Sequence, residues 1–169
     1  LVINGLAIDL DGYMQLIDED IILDIAANSS APDLNKFLTL IPAIYTSDFA
    51  SMQTKGSGTL NVNLKGTYND QSFPAYDMKV NVDDGYFKYP DLALPAEDIH
   101  LDLHVYSLDG NTDRTVVDIP RMHFKMANDP FDLKLNMQDL SGNMLIDADA
   151  KGKVDLTNLT NIVPLPDTE

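Results

Sequence analysis

The sequence predicts a mainly β chain: an antiparallel, multi-stranded curved sheet, either an open half-barrel or a sandwich, with one or two short helices. Three observations predict it. Apolar residues recur at every second position over several stretches, the mark of strands with one dry face. Asp, Gly and Asn cluster between those stretches, where turns need them. One segment has helical spacing and ends at a proline, and a second segment echoes it.

Taken in order, a weak alternation runs through Leu6-Ile8-Leu10 and closes at Asp11-Gly12. Ile21-Leu23-Ile25 follows. Ser30-Ala31-Pro32-Asp33 then resembles a capping box with Pro in the first turn. Leu34, Phe37, Leu38 and Ile41 keep the i, i+3, i+4, i+7 spacing of a helix until Pro42. That helix is expected to end near Leu40, with Ala43-Ile44-Tyr45 as a further turn. Strong alternation begins with Leu60, Val62 and Leu64. It continues in Tyr76, Met78, Val80 and Val82, which stop at the turn-like Asp83-Asp84-Gly85. Ile99, Leu101, Leu103 and Val105 form the next set, before Asp109-Gly110-Asn111. Val117 and Ile119 are odd-numbered, whereas Met122, Phe124 and Met126 are even, with Pro120 between. A bulge or edge bend at Pro120 returns both sets to one face. Phe131, Leu133, Leu135 and Met137 complete the strong sets, and Met144-Ile146-Ala148-Ala150 is a weaker one after Ser141-Gly142-Asn143.

The helical segment has its echo at a constant offset of 122: Asp155, Leu156, Leu159, Val163 and Pro164 repeat Asp33, Leu34, Phe37, Ile41 and Pro42. This predicts about one unit of a tandem β array, the kind that stacks into an elongated body. Residues 1–45 read as the end of a preceding β repeat with its short helix, and 46–169 as the following repeat. The opening Leu1-Val2-Ile3 and the absence of a starting Met suggest an excerpt of a longer protein.

Charge narrows the partners. Eleven Lys plus Arg against 27 Asp plus Glu leave a net charge of −16. Such a chain repels nucleic acid and does not dock by a basic face on an anionic leaflet. Without Cys it has no disulfide framework or thiol nucleophile. At 44% hydrophobic and 22% charged it is a folding sequence.

Residues 37 to 164 carry a family resemblance. Phe37-Leu38-Thr39-Leu40-Ile41-Pro42-Ala43-Ile44-Tyr45 is followed by Lys55-Gly56-Ser57-Gly58 and Leu64-Lys65-Gly66-Thr67-Tyr68. The most specific stretch is Asp84-Gly85-Tyr86-Phe87-Lys88-Tyr89-Pro90-Asp91-Leu92, with Pro95 and Asp98-Ile99 after it. Asp113-Arg114-Thr115-Val116, Asn128-Asp129-Pro130-Phe131 and Gly152-Lys153-Val154-Asp155-Leu156 complete the order. This order resembles the AsmA family of envelope proteins, in a form typical of the Bacteroides group and related to TamB-like proteins. The resemblance implies a periplasmic protein of a Gram-negative bacterium, anchored in the inner membrane outside this excerpt, with a role in outer-membrane biogenesis. Larger relatives resemble bridge-like lipid transfer proteins with an apolar β groove. In the specific stretch, Gly85 and Pro90 are expected to end a strand by bending it, with Tyr86, Phe87 and Tyr89 packed around the corner.

The residues offer little chemistry beside this. His100 and His104 stand four apart, but alternation places them on a strand, where four residues span about 13 Å, too far for one metal. Asp109-Gly110-Asn111-Thr112-Asp113 resembles half a calcium loop, yet Arg114 and Pro120 hold the positions where an EF-hand needs Gly and an acid. No nucleophile motif or phosphate-cradling loop is present. The expectation is therefore no enzyme, no metal and no cofactor. Three functions remain open. A lipid conduit would shield phospholipid acyl chains on the apolar strand faces, with Val62, Leu64, Met78, Val80, Leu101, Leu103, Leu133 and Leu135 as candidate lining. A structural or protein-interaction module would bury the same residues in a closed core and bind envelope proteins instead. A carbohydrate-binding sandwich ranks last, because Tyr86, Phe87 and Tyr89 are its one aromatic cluster and there is no Trp. Alternation is the same for a strand facing a groove and a strand facing a second sheet, so the decisive observation is whether the sheet is open.

Overall fold

A strand that alternates apolar and polar residues can pair with neighbours on both edges while keeping its two faces distinct. In the computed structural model this happens eight times in succession. The structure describes residues 1–31, 33–38, 52–89, 94–127, 129–140 and 142–153. A short hairpin of β1 (Val2–Ile3) and β2 (Leu6–Ala7) comes first. Then follow β3 (Asp9–Ile17), β4 (Asp20–Ala31), the four-residue helix α1 (Asn35–Leu38), β5 (Gln53–Tyr68), β6 (Ala75–Lys88) and β7 (Ala96–Ser107). A 3-10 turn at Thr112–Arg114 leads to β8 (Val116–Met126), β9 (Asp129–Gln138) and β10 (Leu145–Gly152).

Strands β3 to β10 form one antiparallel sheet in strict sequence order, each strand between its chain neighbours. The first and last strands do not meet, so the sheet is open, and among the described residues the only other sheet is the two-stranded β1–β2 hairpin, which covers one end of it. Of the two architectures expected, this is the open one. Strand β4 pairs with β5 through eleven register positions, from Ile21↔Tyr68 to Ala31↔Gly58. Strands β4 and β5 therefore belong to one continuous sheet.

Bulges set its shape. On β8 the register passes from Ile119↔Leu135 to Met122↔Leu133, so two residues, Pro120 and Arg121, oppose one on β9. This is the expected bulge, and it puts Val117, Ile119, Met122 and Phe124 on one face. Three expectations are corrected. Asp83-Asp84-Gly85 is a bulge inside β6, which continues to Lys88. Gly85 is needed there because a Cβ would lie 2.9 Å from both Ile99 Cβ and Val82 Cγ1. Asp11-Gly12 lies inside β3, where a Cβ on Gly12 would come within 2.0 Å of Asp24 O. The Leu6-Ile8-Leu10 alternation is split, Leu6 pairing in β2 and Leu10 in β3. The first two departures use turn-forming residues to keep a ladder going rather than to stop it.

Ser30 belongs to β4, and Asp33 caps α1 instead: the Asn35 N–H donates to Asp33 Oδ1 at 3.0 Å. Ile41, Pro42, Ala43–Tyr45, the Pro90-Asp91-Leu92 corner and the echo at 155–164 lie outside the described residues.

Candidate functional site: the apolar face of the sheet

Directly opposed residues of antiparallel strands share a face. Following the registers across the sheet links the alternating sets into one surface. Leu16, Ile21 and Tyr68 lie along one line, and Leu10, Ala27, Val62, Met78 and Val105 along another. Leu101 stands beside Val82 and Met122, Met122 beside Leu133, and Leu133 beside Ala150. All eight candidate lining residues, Val62, Leu64, Met78, Val80, Leu101, Leu103, Leu133 and Leu135, fall on this face. All eight are half-buried, and none is enclosed. Their shielding comes from strand neighbours, not from an opposing layer.

The burial pattern gives the same answer across the described residues. Among the described residues Leu6, Ala31 and Met52 are buried at one end, where the β1–β2 hairpin and α1 cover the sheet, and Pro74 is buried at the other. Ser29 and Ala31 are on the apolar face, and the Ser29 hydroxyl donates to Ala7 O at 2.6 Å. The Asn35 side chain donates to Thr54 O at 3.1 Å and accepts from the Thr54 hydroxyl at 2.6 Å, which ties α1 to β5. At the other end Phe73 meets Tyr68 and Tyr76 edge-on, each at 5.9 Å between ring centroids. Ser107 is fully buried there, donating to Asn111 O at 2.9 Å. The apolar face between these ends is bare among the described residues.

One part of it is already a cleft. Phe124 and Phe131 stack at 5.1 Å with an interplanar angle of 12°. With Leu133, Ala150 and Gly152 they line a hollow of about 360 Å³. Gly152 makes room for the Phe131 ring, which a Cβ would meet at 2.5 Å. These two phenylalanines belong to the face but were not among the lining candidates. Their signal in the sequence was the plain alternation of Phe131 with Leu133, Leu135 and Met137, and for Phe124 the parity change around Pro120.

The opposite face is a lattice of short polar contacts between neighbouring strands. Lys65 Nζ meets Asp24 Oδ2 at 2.8 Å, His104 Nε2 meets Asp77 Oδ2 at 2.8 Å, and His123 Nδ1 meets Asp132 Oδ1 at 2.8 Å. Asp102 receives both the Asn81 amide at 2.7 Å and Arg121 Nε at 3.1 Å. The hydrogen bond from Lys65 to Asp24 raises the lysine above its ordinary pKa.

His100 and His104 lie on one strand, as expected, and take different partners. Bulges on β6 and β7 draw Asp83, Asp84 and Asp98 around His100. Nδ1 stands 3.3 Å from Asp83, and Nε2 stands 3.2 Å from Asp98 and 3.9 Å from Asp84. Asp84, Asp98 and His100 offer ligand atoms within 4.8 Å of one another. The second oxygen of Asp98 is held by Lys125 Nζ at 2.5 Å, and that contact lowers the carboxyl below its usual range. With a cation already on Asp98, the group is a salt-bridged network on the wet face. The Asp109–Thr112 turn is a self-contained loop: Asp109 accepts from the Asn111 N–H at 3.0 Å and from Arg114 at 2.8 Å, and its carboxyl is lowered accordingly.

No protein-family model, curated protein or solved structure matches this chain. Among the described residues, no helix is long and apolar enough to cross a membrane.

Proposed function

We propose that this chain is a non-catalytic segment of an AsmA-like periplasmic protein, shielding phospholipid acyl chains on its apolar sheet face. The observation that carries the reading is the bare face itself. Eight strands in sequence put their apolar residues on one side, and the ladder partners leave them half-exposed. Exposed apolar patches beyond a few hundred Å² mark binding surfaces. An acyl chain is the occupant that suits such a face, because it gains about 0.8 kcal/mol per buried CH₂ and asks for no polar partner. The acidic opposite face keeps such a segment in water and away from anionic headgroup surfaces. The AsmA resemblance supplies the setting: outer-membrane biogenesis, with the whole protein anchored in the inner membrane.

The test is native mass spectrometry of detergent-free protein, with lipid extraction of the same sample. Reproducible bound phospholipid is the expected result. Charging the face by Leu133→Asp should remove the lipid while circular dichroism stays strand-like. A clean apo mass after incubation with phospholipid vesicles refutes acyl binding by this segment and favours the protein-interaction module.

A further inference from the structure

We propose that the two edges of the sheet pair with each other between copies, so that β10 of one chain adds to β3 of the next and the apolar face continues across the junction. Natural sheets protect their edges with bulges, prolines, inward charges or covering segments. Among the described residues those devices are elsewhere. The bulges fall in the ladders between β5 and β9, whereas the β3–β4 and β9–β10 ladders run without a register shift. Neither edge strand contains proline, and every charge on them alternates to the polar face. All nine residues of β3 and all eight of β10 are exposed.

Geometry then selects one junction. With eight antiparallel strands in sequence order, β3 and β10 run in opposite directions, so a second copy placed edge to edge pairs antiparallel with its apolar face on the same side. Matching apolar to apolar face requires even-numbered residues to oppose even-numbered ones. One register meets that condition and uses all of β10: Leu145 opposite Ile17 through to Gly152 opposite Leu10. Its apolar side sets Ile146 against Leu16 and Ala148 against Met14. Its polar side sets Lys151 against Asp11, Asp149 against Tyr13 and Asp147 against Gln15, with no like charges directly opposed. The two-residue slip that brings Asp9 opposite Lys151 instead sets Asp149 against Asp11, a destabilising pair. The occupant of each edge is therefore a second copy of this chain. The net charge of −16 on each copy makes the assembly stronger at high salt.

The chain has no Cys, so paired cysteines report the junction without background. The double variant Met14→Cys with Ala148→Cys is oxidised at 0.5 M salt and run on a non-reducing gel. A ladder of covalent multimers is expected. Tyr13→Cys with Ala148→Cys, which opposes the two faces, should stay monomeric. In analytical ultracentrifugation, Lys151→Asp should weaken association about two- to fivefold, and adding Asp11→Lys should restore it. Should the first pair lose its strand signal when reduced, Leu16→Cys with Ile146→Cys tests the same register. Monomers alone overturn the proposal, and so does an intrachain disulfide, which would mean the sheet closes on itself. Lipid binding plays no part in these readouts, so either proposal can fail while the other stands.

Discussion

Replacing Leu101 by Ala removes three carbons from the middle of the apolar face, between Val82 and Met122. Full burial of three such groups contributes about 2.4 kcal/mol. Leu101 is half-buried, so about half of that, roughly 1.2 kcal/mol, is lost. No cavity penalty is added, because among the described residues nothing lies above the site to leave a void. In a closed core the same change costs about 3–5 kcal/mol. The two architectures therefore differ by a factor near three at one residue. Urea unfolding followed by far-ultraviolet circular dichroism measures it, and an unchanged slope shows that the unfolded state is the same. The expected fall in melting temperature is about 3–5 °C. A loss of 3 kcal/mol or more would refute the argument, since it would require a layer packed on the face.

Deleting Pro120 should be tolerated: Ile119, Arg121 and Met122 would then alternate regularly, and thermal unfolding should show a folded protein, whereas deleting Lys134, in a strand with no spare residue, should invert half of β9 and prevent folding. Gly12→Ala should destabilise by at least about 1–3 kcal/mol, because φ is +131° and the new Cβ would lie 2.0 Å from Asp24 O; a neutral result in denaturant titration would mean that β3 is not paired as described. Asp98 and Asp109 both have lowered carboxyl pKa values, so their contribution is full above the ordinary value of 3.8 and is lost as pH falls through their folded values. Lys125→Met should return Asp98 toward 3.8 and flatten that acid dependence, which carboxyl-resolved NMR titration checks.

The strong alternations were legible because a sheet with one apolar face imposes period two on each strand, and Leu60 to Leu64, Tyr76 to Val82, Ile99 to Val105 and Phe131 to Met137 all lie in strands as read. The Pro120 bulge was legible because a parity change has few other remedies. Asp83-Asp84-Gly85 and Asp11-Gly12 were misread because bulges and turns draw on the same residues: Asp84 takes φ +51° inside a strand, and Gly12 tucks against β4 where no side chain fits. The cluster around His100 was invisible for a related reason. Asp98 has φ +54° at a bulge of β7, so its approach to Lys125 and His100 follows from a break in the alternation, not from the pattern. The openness of the sheet was beyond any pattern, since a half-exposed Leu103 and an enclosed one are spelled alike.

The unbroken order β3 to β10 also governs how the chain reaches this state. Each ladder joins strands adjacent in sequence, and no strand waits for a distant partner. Apart from the long connection between β4 and β5, loop-closure entropy is met in small steps, so the sheet can grow as a zipper from a hairpin, faster than sandwiches whose strands cross between layers. The short hairpin turns, such as Asp18-Glu19 between β3 and β4 and Asp70-Gln71 between β5 and β6, are natural starting points. The same linearity makes stability a gradient. Amides of β6 and β7 are flanked by ladders on both sides and should exchange slowest, and protection should decline strand by strand toward β3 and β10.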